Sequence, residues 1–440
     1  MKKLFASLLV GCWFVCAAKG QERPVAFVNA RIIPIVGTPI EQGVLLIHKG
    51  KILAVGDTRT IRPSPGAEIV DIKGKVIMPG LVDSHSHIGE VTGADGSAPS
   101  QPDVRAMDSI NVRAASIQRA QAGGITAVNV MPGSGFLNSG QTLYLKLRDG
   151  ANKIDDLLIY DKDGNHMGGI KFANGTNPIR PGGGNFPGTR AKSAALIREQ
   201  FIKAQEYRDK IRKAGGDRSK LPPRDLTMEA LLDVLDGKRV VHFHTHRHDD
   251  ILTALRLQKE FNFRVVLQHV SEAWKVADEI AKAKVPASII MIDAPGGKLE
   301  TIDVRYENGA ALEKAGALAG FHTDDSITDS RWFLRSAGLA VRAGMSREKA
   351  LFGMTMANAI MLDIQDRVGS IEVGKDADFI ILSGDPLSVY THVLETWVEG
   401  KKVFDRADPK DRLIAVGGPG AGEDRSSHIH CFDGDLGGQD

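Results

Sequence analysis

Cysteine is almost missing from this chain of 440 residues. Only Cys12, Cys16 and Cys431 occur, and the first two sit in an apolar N-terminal run. With that run removed, one cysteine is left and no internal disulfide can close, so stability has to come from a buried core. An excess of one charge is missing too. Fifty-six basic residues stand against 54 acidic ones, a formal charge of +2. That balance gives no electrostatic reason to expect nucleic acid or an anionic membrane as partner. A long hydrophobic run is also absent. A membrane span needs roughly 20 apolar residues, and the stretch from Leu4 to Ala18 is shorter. No fixed-period repeat is visible, which sets aside solenoids and propellers.

What is present is ordinary globular material, 42% hydrophobic and 25% charged, enough for a large core. The N-terminus has the layout of an export signal over residues 1–20. Lys2 and Lys3 precede the apolar run, and Ala18-Lys19-Gly20 puts small residues where cleavage before Gln21 needs them. The expected location is periplasmic or secreted. Leu9-Val10-Gly11-Cys12 also fits a lipoprotein cleavage box anchored at Cys12, but Trp13, Phe14 and Val15 would then follow the lipid where polar residues are more natural.

The texture of the chain changes twice. Residues 21–77 read as short strands punctuated by Gly and Pro, such as Val25–Val28, Gly43–Ile47 and Lys51–Val55. Residues 78–364 alternate strands with helices, the pattern of a parallel sheet. Candidate strands are Val76–Met78 running into Leu81–Asp83, Ile125–Val130, Val240–His244, Val265–Gln268, Ser288–Ile292 and Ala317–Phe321. Thr142–Leu147, Leu157–Tyr160 and Gly169–Ala173 compete for the third and fourth places. Ala194, Ile197, Phe201, Ala204, Tyr207 and Ile211 share one face of a helix. Residues 365–406 return to β texture, and residues 407–440, with few apolar anchors, read as a flexible tail. The expected fold is α/β, a (β/α)8 TIM-type barrel with a small β-sandwich domain built from both chain ends.

The chemistry gathers at the strand ends. In Asp83-Ser84-His85-Ser86-His87 the two histidines are two apart, so a strand aims both at one side. Imidazole nitrogen suits zinc and its neighbours. The fifth strand delivers His242, His244 and His246, all of one parity; the sixth delivers His269; the eighth delivers His322 and Asp324. Gly169-Ile170-Lys171 offers a lysine. Packing alone rarely ends so many strands in His, Asp or Lys at one end of a barrel, where such enzymes hold their chemistry. Asp249 and Asp250 suit the start of a helix. Arg180, Arg247 and Arg331 lie in loops from which a guanidinium could clamp a substrate carboxylate. The glycine-rich loop Pro181–Gly188 fits no phosphate-binding template and reads as a lid or a long connection.

Met78-Pro79-Gly80-Leu81-Val82-Asp83-Ser84-His85-Ser86-His87 resembles the signature of the amidohydrolase superfamily, as does Val368-Gly369-Ser370-Ile371-Glu372-Val373-Gly374-Lys375-Asp376-Ala377-Asp378. Residues 241–269 and 317–325 resemble the subgroup of imidazolonepropionase and the prolidase-like exopeptidases. The resemblance spans roughly residues 24–406. It implies metal ligands at His85, His87, His244, His269 and Asp324, with Asp324 as general base and His269 aiding the oxyanion. It further implies a carboxylated lysine bridge in members with two metals, for which Lys171 is the candidate and Lys146 the alternative; other members hold one metal. His246, His322 and Arg331 are candidate substrate contacts. The implied cofactor is a divalent metal, Zn2+ by ligand type, as one or two ions. The implied activity is hydrolysis of a C–N bond in a cyclic or small amide by metal-activated water. An exopeptidase for Xaa-Pro or acyl-amino-acid substrates is the alternative, and a non-catalytic binding module on the same barrel is the second. The expected partner is a small-molecule or dipeptide-like substrate, with no nucleic acid and no membrane span; a homo-oligomer is compatible with this.

Overall fold

A computed structural model describes residues 23–91, 93–291, 298–417 and 421. The export signal with Cys12, the residues from 422 onward with Cys431, and Ile292 lie outside the described residues.

The two β-textured ends of the chain meet in one sheet of eight strands. Its order runs Lys401–Asp405, Val393–Val398, Phe379–Leu382, Val76–Pro79, Val25–Ile32, Ile40–His48, Lys51–Asp57, with Glu68–Asp71 also beside Val25–Ile32. The seam is antiparallel: Phe379 faces Pro79 and Leu382 faces Val76. Phe27, Leu45, Ile47, Ile77, Phe379 and Ile381 are buried together. Phe27 meets Phe379 edge-on at 5.0 Å, and Trp397 stacks on Phe379 at 5.5 Å. A sandwich was expected; the hydrogen bonding is that of a single continuous sheet.

Val76–Met78 belongs to this sheet and does not run on into Leu81–Asp83 as expected. Pro79 lacks the N–H that would continue a ladder. At Gly80 a Cβ would come within 2.2 Å of the Thr126 side chain, so only glycine lets the two strands approach. A new strand, Leu81–Ser86, starts immediately after.

The middle of the chain forms two further sheets. Five parallel strands, Ile170–Ala173, Val241–Thr245, Val265–His269, Ala287–Ile290 and Ala319–His322, lie side by side in chain order. Asn138–Gln141 adds an antiparallel edge. A second sheet pairs Leu81–Ser86 in parallel with Ile125–Val130, which takes Leu143–Lys146 antiparallel on its other side. Leu157–Tyr160 is not a strand; Leu158 and Tyr160 make only isolated bridges. Asn138–Gln141 was not anticipated, because Asn-Ser-Gly-Gln carries none of the apolar alternation that marks a strand.

Side chains tie the two sheets together. Asn358 Nδ2 donates to the carbonyls of Val82 (2.5 Å) and Phe321 (2.6 Å), one in each sheet. Asp324 N donates to His85 O at 2.9 Å. Helices cover the outside. Thr189 caps the helix Arg190–Ala214 and Gly215, at φ 58°, ends it. Its buried face holds Ala194, Ile197, Phe201, Ala204 and Tyr207, while Ile211 is exposed. Phe201 stacks on Phe172 at 5.7 Å and on Phe263 at 5.2 Å. The expected tail from residue 407 instead starts with a helix, Pro409–Val416, capped by the Asp408 carboxylate.

Candidate metal centre

Every strand of the five-stranded parallel run, together with Leu81–Ser86, sends a polar side chain into one buried cluster. His85 Nε2 lies 3.4 Å from His87 Nε2 and 3.2 Å from Asp324 Oδ1; His87 Nε2 is 3.0 Å from the same oxygen. Tautomers explain why these atoms point inward. His87 Nδ1 is 2.7 Å from the Met131 carbonyl, which can only accept, so the proton sits on Nδ1. His85 Nδ1 faces Gln268 Oε1 at 3.4 Å. Gln268 in turn donates from Nε2 to His242 Nδ1 at 3.1 Å, and His242 Nε2 meets Tyr144 Oη at 2.9 Å. Burial, with the Lys171 charge adding to it, lowers the His242 pKa to about 3, so that ring is neutral. Burial first, then the Lys171 ammonium, also holds His85 well below the usual imidazole range. Lone pairs of two imidazoles and a carboxylate oxygen thus converge on one point, an arrangement that asks for a cation.

Asp324 carries the counter-charge. Burial pushes its carboxyl up, but the surrounding imidazoles, His269 and His85 foremost with His87 beside them, outweigh burial and hold it well below the usual carboxylate range. Its backbone is left-handed at φ 50°, as is that of His269 at φ 70°. Side chains outside glycine rarely adopt this region, and such strain concentrates at functional sites. Asp83 holds Asp324 and His85 in register. Its carboxylate accepts from Thr323 Oγ1 at 2.5 Å, Thr323 N at 3.1 Å and His85 N at 3.2 Å. Burial pushes its pKa up to about 7 despite those donors.

His269 adjoins through a second chain. Ser84 and Ser288 hydroxyls are 2.7 Å apart, Ser288 Oγ is 2.8 Å from His322 Nδ1, and His322 Nε2 is 3.0 Å from His269 Nδ1. Ring centroids of His244 and His269 are 4.4 Å apart, and those of His85 and His269 4.7 Å. Neither ring nitrogen of buried His244, nor His269 Nε2, has a hydrogen-bond partner among the described residues. Such orphans are costly. Imidazole nitrogens and a carboxylate, some of them lacking any donor or proton partner, fit a divalent ion. His246 is held by Ser271 Oγ at 2.8 Å and lies 4.7 Å from His244, ring to ring.

The structure therefore brings together His85, His87, Lys171, His244, His246, His269, His322 and Asp324. Lys171 Nζ is 2.9 Å from His85 Nε2. Lys146 is elsewhere: its buried ammonium sits 2.7 Å from Asp378 and 2.9 Å from Asp376. Of the two candidate lysines only Lys171 reaches the imidazoles. Arg331 is a correction. It pairs with Asp329 at 2.5 Å and donates to the Ile414 carbonyl, which ties it to the C-terminal helix rather than to the cluster. Arg180 is spent on the carbonyls of Asn177, Ile179 and Gly135, and Arg247 pairs with Asp249. Sequence reading missed Gln268 and Ser288, although each occupies a named strand, and Ser84, which stands between Asp83 and His85. It also missed Glu300, which enters from a loop with no periodic signal.

Comparison with known proteins agrees with this picture. A sequence model of the amidohydrolase family matches residues 224–404. The crystal structure of an amidohydrolase from Thermotoga maritima MSB8 is 35% identical, covers 87% of this chain and 100% of its own, and superposes with a TM-score of 0.80. The amidohydrolase tasK of Hapsidospora irregularis is 25% identical over 88% of this chain, and imidazolonepropionase of Symbiobacterium thermophilum is 21% identical over 86% of this chain and 90% of itself. The chain spans 44% of the tasK protein, and less of the adenine deaminases it also matches. The chain belongs to the amidohydrolase family.

Proposed function

We propose that the protein is a metal-dependent hydrolase that cleaves a C–N bond of a cyclic or small amide, at the C-terminal mouth of a (β/α)8 barrel made by the two central sheets. One observation carries this reading: the Asp324 carboxylate stands 3.0 Å and 3.2 Å from the Nε2 atoms of His87 and His85, with ring orientation set by Met131 and Gln268. His85, His87 and Asp324 would hold the ion, with His244 and His269 adjoining and Lys171 beside His85. Zinc is the metal that best suits this nitrogen and oxygen set. When bound, such an ion supplies a water acidified toward a pKa of about 7 and polarises the substrate carbonyl.

The chain's own residues do the rest. Asp324, ionised at neutral pH, takes the proton of the attacking water and delivers it to the leaving nitrogen. General acid–base transfer of this kind is worth about 10²–10⁴-fold. His322, whose pKa burial lowers to about 3, is neutral; with Ser288 it orients His269. Arg331, Arg180 and Arg247 are all engaged elsewhere. The substrate-carboxylate clamp that an exopeptidase reading draws from them is therefore missing, and a small or cyclic amide is favoured. Export by the N-terminal segment, to the periplasm or outside, belongs to the same reading.

The test is a hydrolysis screen over lactams, N-acyl amino acids and dipeptides, using metal-replete protein with and without chelator, alongside metal analysis. Chelator-sensitive cleavage, reduced by about 10²–10⁴-fold in Asp324→Asn, is expected. Protein that takes up no metal and is indifferent to chelator would reduce the chain to a binding module.

A further inference from the structure

One buried carboxylate beside the cluster has no part in the chemistry above. Glu300 enters from the short turn Leu299–Thr301 and is 2% exposed. Its two oxygens differ. Oε2 accepts the Thr176 N–H at 2.8 Å and lies 3.7 Å from Arg190 Nη2. Gly175, at φ 80°, permits this approach, since a Cβ there would come within 2.5 Å of Oε2. Oε1 has no hydrogen-bond partner among the described residues. A carboxylate oxygen of Glu300 and ring nitrogens of His244 and His246 lie within 4.8 Å of one another. His244 leads to His269, ring centroids 4.4 Å apart, and His269 Nδ1 is 3.8 Å from Asp324 Oδ2. Two imidazoles separate Glu300 from Asp324, so one small molecule can touch both.

Donors stand next to this acceptor. Lys298 Nζ is 3.8 Å from Oε1, beyond hydrogen-bond distance, and gives one of its N–H groups to Asn177 Oδ1 at 2.7 Å. The buried Nδ2 of Asn177 has no partner among the described residues. A buried acceptor and a buried donor left unmade are both unfavourable until a ligand completes them. Charge narrows the ligand. The Lys298 ammonium balances the Glu300 carboxylate, so a cationic ligand would be repelled by the one and an anionic ligand by the other, away from water where unbalanced charge is costly. A neutral secondary amide suits both: its N–H meets Oε1 and its carbonyl meets Lys298 or Asn177.

We propose that Glu300 determines specificity by accepting, at Oε1, the N–H of a second amide that is held and not cut, so that the protein selects small neutral diamides over single amides. The assignment rests on the metal-hydrolase reading for the amide that is cut. It makes a sharp demand on Glu300→Gln. The Thr176 N–H and Arg190 both require an oxygen at the position of Oε2, so the glutamine carbonyl stays there and its NH2 turns to the pocket. An acceptor is exchanged for a donor at nearly constant volume, and the preference for a ligand N–H is reversed.

The experiment compares three six-membered lactams on metal-replete protein: 2,5-diketopiperazine, morpholin-3-one and 2-piperidone. They carry N–H, an ether oxygen and CH2 at the same ring position opposite the amide nitrogen. Wild-type protein is expected to cut the diketopiperazine with a kcat/KM on the order of 10- to 100-fold above that for piperidone, with morpholinone no better than piperidone. Glu300→Gln should lose that preference, carried mainly by a higher KM, and should now favour morpholinone over piperidone. Its piperidone rate and its metal content, counted by mass spectrometry, should match wild type. If the glutamine variant does not fold, Glu300→Asp keeps the acceptor but withdraws it, and should narrow the diketopiperazine preference without reversing it. Wild-type protein that cuts piperidone as well as the diketopiperazine, or a Glu300 variant that slows all three alike, overturns the role of Glu300 and leaves metal-dependent hydrolysis standing. Absence of chelator-sensitive cleavage of any lactam overturns the hydrolase reading and the assignment with it.

Discussion

Gln268 shows how much a single amide decides at the residue scale. Its oxygen takes the His85 Nδ1 proton and its nitrogen donates to His242, which is backed by Tyr144. Remove the amide and the His85 ring is free to turn or to change tautomer, so its inward lone pair is no longer guaranteed. Partners of this kind usually matter by 10–100-fold in metal affinity. Gln268→Met keeps volume and burial, so it should fold. It is expected to bind Zn2+ about 10–100-fold more weakly, read by chelator competition. The ligand-type residues were legible in the sequence because alternation places them. Gln268, buried in the same strand, was not, because an amide between hydrophobic neighbours looks like any core polar residue until its partners are known. Lys171 and Lys146 teach the same lesson. Both are wholly buried lysines within candidate strands, and only the placement of each strand sends one to His85 and the other to Asp376 and Asp378.

At the scale of elements, the junction between the two central sheets depends on one asparagine. Asn358, from the short helix Met356–Met361, donates to carbonyls on both sheets, and its Oδ1 crowds the space over Gly320, where a Cβ would be 2.1 Å away. Asn358→Leu leaves the Val82 and Phe321 carbonyls buried without this donor. At about 1–3 kcal/mol for each unsatisfied group, a loss of about 2–6 kcal/mol is expected in urea unfolding. Metal binding should suffer with it, since Leu81–Ser86 and Ala319–His322 carry His85 and lead into Asp324. Gly320→Ala should be destabilising for the complementary reason, overpacking against the same amide. Periodicity found the long outer helix and the apolar strands because their buried faces repeat. It failed where a strand is polar, as at Asn138–Gln141, and where two strands abut, as at Pro79-Gly80. A period of two does not reveal that a chain has passed from one sheet to another.

For the whole molecule, what matters is how the eight-stranded sheet holds the part that carries the site. The contact is electrostatic and buried. Lys146, at the end of Leu143–Lys146, inserts its ammonium between Asp376 and Asp378, just before the strand Phe379–Leu382. Asp376 is also paired with Lys51 at 2.6 Å and Arg367 at 2.9 Å. Burial alone would raise the Asp376 carboxyl; Lys146, Lys51 and Arg367 reverse this and bring its pKa down to about 2 from 3.8. A depressed carboxylate stabilises the folded state fully above the unfolded pKa of 3.8, and that stability is lost as pH falls through about 2. The difference corresponds to about 2 kcal/mol. Asp378 has the opposite sign. Burial raises its pKa, with Lys146 only partly opposing, so it offsets some of this at neutral pH. Asp376→Asn is therefore expected to be less stable than wild type by about 2 kcal/mol at pH 7 and to converge on it between pH 4 and pH 2. Unfolding free energies measured across that interval decide the matter: a constant gap, independent of pH, would show that the clamp acts by shape and hydrogen bonding and not by charge.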